Sequence, residues 1–86
     1  MYKTTPDFWV RYRNLSPAVQ QLADEKFQIL KNNPRHPSLN LKKIGKYWVA
    51  RVGTNYRVLA REEDGNLVWF WIGKHDEYMR ILRTGY

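Results

Sequence analysis

The chain has 86 residues, with fifteen Lys and Arg against eight Asp and Glu and a formal charge of +7. That length suits one domain with one modest core, residues 1–86 throughout, and the absence of cysteine excludes disulfides, zinc–thiolate sites and thiol nucleophiles. The charge favours polyanionic partners through an attraction that salt screens, although a basic surface can also serve solubility alone.

Thr5-Pro6-Asp7 reads as a helix start, with Thr5 as cap, Pro6 at the first helical position and Asp7 at the positive end. A short helix from Pro6 to about Asn14 carries Phe8, Trp9 and Tyr12 on an apolar stripe. Ser16-Pro17 repeats the signal. The second helix presents Val19, Leu22, Ala23, Phe27, Ile29 and Leu30 inward and ends at Asn32-Asn33-Pro34. Two helices joined so tightly predict an antiparallel hairpin. Arg35 to Ser38 is a loop, and after it the period changes to two.

Residues 47–52, 55–61 and 67–72 read as strands, with Leu39 to Lys42 a short fourth. A two-residue turn at Gly53-Thr54 sets Ala50 opposite Arg57, and a three-residue turn at Glu63-Asp64-Gly65 sets Arg57 opposite Trp71. One face then shows Tyr47, Val49, Tyr56, Val58, Ala60, Val68, Phe70 and Ile72, an apolar floor for the helices. The other is an open face of Trp48, Ala50, Arg57, Leu59, Arg61, Trp69 and Trp71. A slip of one residue in either turn exchanges these sets. A last helical turn or two begins near Asp76, close to the sheet edge. The expected fold is therefore α+β: an N-terminal antiparallel helix hairpin on one face of a three- to four-stranded antiparallel sheet, then a short C-terminal helix.

Three residues near the end of this sheet carry chemistry. Arg57 can hold two phosphate oxygens in a fork and stabilise charge on a pentavalent phosphorus, or it can stack on Trp48 or Trp71 for structural reasons. His75 carries an imidazole, the side chain suited to pass a proton during RNA cleavage, or it can be a helix cap or surface residue. Tyr78, three residues on, shares a side of a helical turn with His75 and can touch a phosphate or base, or simply close the core. Lys42, Lys43, Lys46, Arg51, Arg61 and Lys74 supply basic surface for an RNA backbone, and edge lysines also discourage strand-on-strand aggregation. Trp48 and Trp71, with Trp69, offer stacking surfaces for unpaired bases or a patch for a partner. His36, between two prolines, has no such neighbours.

Other chemistries are missing. There is no Gly-rich phosphate loop, histidine metal motif or serine nucleophile motif, so neither metal nor cofactor is expected. No apolar run approaches the ~20 residues that span a bilayer, and no signal-peptide core follows Met1. A soluble cytoplasmic protein without membrane association is expected.

The helix hairpin, the Asn33-Pro34 and Pro37-Ser38-Leu39 approach, the segment Arg51-Val52-Gly53-Thr54-Asn55-Tyr56-Arg57 and the closing Ile72-Gly73-Lys74-His75-Asp76-Glu77-Tyr78 together resemble the RelE/ParE toxin superfamily. The resemblance implies a toxin of a bacterial type II toxin–antitoxin module. RelE-like members are endoribonucleases that cut messenger RNA in the ribosomal A site by 2′-hydroxyl attack without metal; ParE-like members poison DNA gyrase. By position, Arg57 matches the strand arginine on the scissile phosphate, His75 the catalytic histidine or arginine, and Tyr78 the C-terminal aromatic. The family's strand lysines are replaced here by Trp48 and Ala50, and its first strand is expected to shrink to a stub before Thr5. The implied partners are a cognate antitoxin, messenger RNA and the ribosome, with the chain a monomer alone or a hetero-oligomer with antitoxin. The alternatives are a gyrase inhibitor, which gives His75 no task, or an inactive relative that binds RNA or antitoxin.

Overall fold

The computed structural model describes residues 2–85. Strand β1 (Tyr2–Thr4) is followed by helices α1 (Pro6–Arg13) and α2 (Pro17–Asn32), then by a 3-10 turn at Pro37–Leu39. Strands β2 (Lys42–Ile44), β3 (Tyr47–Val52), β4 (Tyr56–Glu63) and β5 (Asn66–Lys74) lead into helix α3 (His75–Thr84). The Thr5 and Ser16 side chains accept bonds from the Phe8 and Val19 amides, and proline opens both N-terminal helices. These are the caps the sequence predicts. The helices run antiparallel: Phe8 meets Phe27 edge-on with centroids 5.5 Å apart, while Tyr12 donates to Asp24 at 2.7 Å.

The sheet has five strands in the order β1-β5-β4-β3-β2. It is mixed, because β1 pairs parallel to β5, with Lys3 opposite Val68. The expected stub is a genuine edge strand, and Thr5 N–H still bonds Trp69 O at 3.1 Å as helix α1 begins. The short strand expected at Leu39 to Lys42 instead runs from Lys42 to Ile44, because Leu39 closes the 3-10 turn and Asn40 adopts φ 46°.

Both turn assignments need correction. Val52 pairs with Tyr56, so the first turn holds Gly53, Thr54 and Asn55, and Arg57 faces Arg51 rather than Ala50. Glu63 pairs with Asn66, leaving a two-residue turn in which Asp64 (φ 53°) and Gly65 (φ 80°) both take left-handed geometry. Arg57 then faces Gly73 rather than Trp71.

A bulge adds a further change. Leu59 faces Trp71 and Ala60 faces Trp69, so Phe70 is the extra residue on β5. Phe70 and Trp71 consequently pack on the same side, whereas Trp69 packs on the other. The helix-hairpin side collects Phe8, Ala23, Leu30, Ala50, Val52, Val58, Ala60, Trp69 and Ile72. The opposite side collects Val49, Leu59, Phe70, Trp71 and Tyr78, flanked by Ile81 and Leu82. Helix α3 therefore covers the face expected to be open, and the sheet is buried on both sides. No helix among the described residues is long and apolar enough to cross a membrane.

Candidate functional site

Arg57 leaves the sheet on the α3 side and is half-buried. Its Nη1 donates to the carbonyls of Tyr56 (2.8 Å) and Thr54 (3.1 Å) and approaches that of Gly53 at 3.5 Å. The three-residue turn thus fixes the guanidinium by one edge. Burial and the neighbouring Arg51 lower its pKa, while the Tyr78 phenol acts in the opposite direction. The group remains a cation, as arginine does in proteins. Among the described residues no carboxylate forms an ion pair with it.

His75 opens α3, and its backbone N–H donates to Asn55 O at 2.8 Å, tying the helix start to the same turn. Its imidazole is 44% exposed, with Nδ1 4.0 Å from the fully exposed Asp76 carboxylate. The Tyr78 ring lies 5.4 Å from it, centroid to centroid. Tyr78 itself is buried at 5% exposure. Burial raises its pKa against the smaller opposing effect of Arg57, so at neutral pH it is a phenol able to donate a hydrogen bond and not a base.

Gly73 is required by close approach. A Cβ there would sit 2.6 Å from the Trp71 ring, which occupies the space above it. That ring carries Arg11 at 5.8 Å and forms part of the floor beneath α3.

Arg57, His75 and Tyr78 line one groove of about 230 Å³ together with Asn40, Lys42, Arg51 and Met79. The structure therefore brings together five of the residues singled out in the sequence. The others lie elsewhere. Trp71, at 1% exposure, is core and offers no surface to a base. Trp48 is half-buried on the helix-hairpin side, its Nε1 donating to Glu62 at 2.5 Å, and Lys43 pairs with the same carboxylate at 3.2 Å. Arg61 lies over Phe70 and pairs with Glu63 at 3.3 Å, while Lys46 sits over Tyr47. Lys74 lies beyond His75 in an adjoining groove.

Four further lining residues, Asn40, Val49, Ala50 and Met79, were not among the candidates. Asn40 has a left-handed backbone, a legible signal at the end of a helical turn, and Met79 follows from the helical spacing once α3 is known to start at His75. A larger cleft of about 530 Å³, lined by Phe8, Trp9, Phe27 and Trp69 among others, shares no residue with this site.

The arrangement is suited to a phosphate. Two arginines face each other across β3 and β4, Lys42 stands beside them, and a phenol and an imidazole close the groove. Like charges placed opposite one another destabilise a sheet, and a dianionic or monoanionic oxygen cluster between them would relieve that repulsion.

Comparison with known proteins bears on the fold. No curated protein matches the chain by sequence. The RelE in the RelB–RelE antitoxin–toxin complex from Methanococcus jannaschii has a similar fold, with TM-score 0.70 and 15% identity over 91% of this chain and 95% of that one. YafQ from E. coli strain BL21(DE3) gives TM-score 0.67 and 13% identity over 91% and 96%. The YoeB/ParE toxin from Agrobacterium tumefaciens gives 0.66 and 16% over 86% and 96%. These likenesses concern the fold. The protein-family model for the ParE-like toxin domain matches residues 17–80. With the sheet order, the covering helix and that match together, the chain belongs to the ParE-like toxin domain family, within the RelE/ParE toxin superfamily.

Proposed function

We propose that this toxin is an endoribonuclease that cleaves messenger RNA in the ribosomal A site. The convergence of Arg57, His75 and Tyr78 in one basic groove carries the reading. Arg57, held by turn carbonyls along Nη1, presents its remaining N–H groups to the scissile phosphate, with Arg51 and Lys42 balancing its charge. The 2′-hydroxyl attacks the adjacent phosphorus and gives up its proton to water. Negative charge gathers on the non-bridging oxygens, where Arg57 and the Tyr78 phenol stabilise it. His75 passes a proton to the departing 5′-oxygen. A 2′,3′-cyclic phosphate and a free 5′-hydroxyl result, with no metal required.

A second reading, gyrase inhibition, is favoured by the ParE-like family match. It assigns no proton transfer to His75. The two separate cleanly in a purified system. Added to a translating extract, the protein should shorten messenger RNA and leave 5′-hydroxyl ends, and it should not affect supercoiling by gyrase. Intact message together with arrested gyrase would select the second reading.

RelE and YafQ have been crystallised with the antitoxins RelB and DinJ. By that likeness we assign this chain an antitoxin partner of its own, whose acidic segment complements the basic groove.

A further inference from the structure

The turn between β3 and β4 gathers the cations of the groove onto its own backbone. The Gly53 carbonyl accepts from both facing arginines, from Arg51 Nε at 3.3 Å and from Arg57 Nη1 at 3.5 Å. Thr54 O accepts from Arg57 Nη1 at 3.1 Å, and Asn55 O from the His75 amide at 2.8 Å. Two guanidinium groups that repel each other are thus drawn to one partly negative oxygen, with the start of α3 tied beside them.

The residue that opens this turn is the one least able to hold it. Gly53 adopts φ 65°, and glycine takes positive and negative φ about equally well. Its own chemistry therefore leaves the turn free to change shape, and something outside the turn has to hold it. Leu22 of α2 lies against it from the other face of the sheet, with Cδ1 3.3 Å from where a Cβ on Gly53 would sit. Chain neighbours aside, no other atom among the described residues comes within 4 Å of that position. Leu22 is 38% exposed, whereas Leu30 on the same helix is buried in the core.

We propose that Leu22 is a positioning residue, which by packing on Gly53 keeps the turn in the conformation that brings Arg51 and Arg57 onto one anion. The proposal rests on the reading of the groove as a phosphate site, and it makes α2, across the sheet, part of that site's geometry. Without the Leu22 side chain, Gly53 leaves positive φ, its carbonyl no longer holds both donors, and the arginines separate.

The test is inorganic pyrophosphate titrated against the full chain at low salt, followed by the backbone amide NMR signals of Thr54 and Asn55. Leu22→Ala should weaken binding by roughly 3- to 10-fold and shift both signals before ligand is added. Leu22→Met, which conserves volume, should restore both. Val10→Ala, at a 50% exposed apolar position on α1, should change neither, and so controls for a general loss of stability. If Leu22→Ala does not fold, Leu22→Val carries the same prediction. Parental affinity in the Leu22 variant, or equal weakening by Val10→Ala, would overturn the positioning role; if Arg57→Ala is then still impaired, the phosphate reading stands. Full binding by Arg57→Ala, or no binding by the parent chain, would overturn the phosphate reading and the role of Leu22 with it.

Discussion

Arg57 and Arg51 face each other across two strands in a position where both cost stability, and Arg57 is partly desolvated as well. A sheet tolerates such a pair when the site serves a ligand rather than the fold. Tyr78 is different, because it belongs to the core and also lines the groove. The two roles separate by substitution. Tyr78→Phe should fold with a thermal midpoint close to the parent's while RNA cleavage falls roughly 10- to 100-fold, the value of a hydrogen bond to a charged group. Tyr78→Ala should lose about 3–5 kcal/mol of stability through the cavity it leaves. Denaturation curves and cleavage rates on the same preparations check both.

At the scale of elements, the turn between β3 and β4 determines the site. Its third residue lets Gly53 and Thr54 turn their carbonyls toward Arg57 and lets Asn55 receive the first amide of α3. Strand β5 does the remaining work: its bulge puts Trp69 and Trp71 on opposite faces, and its period of two puts Trp71 over Gly73. Gly73→Ala should therefore destabilise the protein by about 1–3 kcal/mol, because the methyl group meets a buried indole that has nowhere to move. Chemical denaturation measures it, and an unchanged midpoint would show that the Trp71 ring can yield.

Much of this was legible from residues. Thr5-Pro6 and Ser16-Pro17 mark helix starts by chemistry local to each segment, and β3 was bounded correctly at Tyr47 and Val52. Arg57, His75 and Tyr78 line one groove, a grouping expected from helical spacing and the family resemblance, whereas the turns that set Arg57 opposite Trp71 were misassigned. Strand faces were not legible. One extra residue in the first turn reversed β3, and the bulge at Phe70 reversed part of β5, so Trp69 and Trp71 fell on opposite sides. Such offsets depend on tertiary packing, and a period-two pattern carries no signal of them. The reach of α3 was missed for a related reason: the open indole face expected beside Arg57 is the surface that α3 covers.

For the molecule as a whole, charge and burial make opposite demands. The chain carries +7, which attracts a polyanion and repels itself, and stability comes from two cores on either side of one sheet. Alkaline pH probes that balance. Tyr12, bonded to Asp24, and Tyr78, buried, both have pKa values raised above the ordinary 10.0. A raised pKa in the folded state means that their stabilisation is intact below about pH 10 and is lost as pH rises through the folded value. The unfolding free energy from urea titration should therefore fall as pH rises above 10, Tyr78 contributing at most ~1.4 kcal/mol per pH unit and the solvent-screened Tyr12 less. The fall should be shallower in Tyr78→Phe, and equal slopes in parent and variant would contradict it.

The most direct measurement follows messenger RNA 5′ ends after brief expression of the parent chain, Arg57→Ala and His75→Ala in growing bacteria, with folding of each variant verified by circular dichroism. The parent should stop growth and generate new 5′-hydroxyl ends. Both variants should fold, lower cleavage by about 10² to 10⁴ and let growth continue. Folded variants that arrest growth and cut message as the parent does would contradict the account, because the groove would then hold no chemistry of its own.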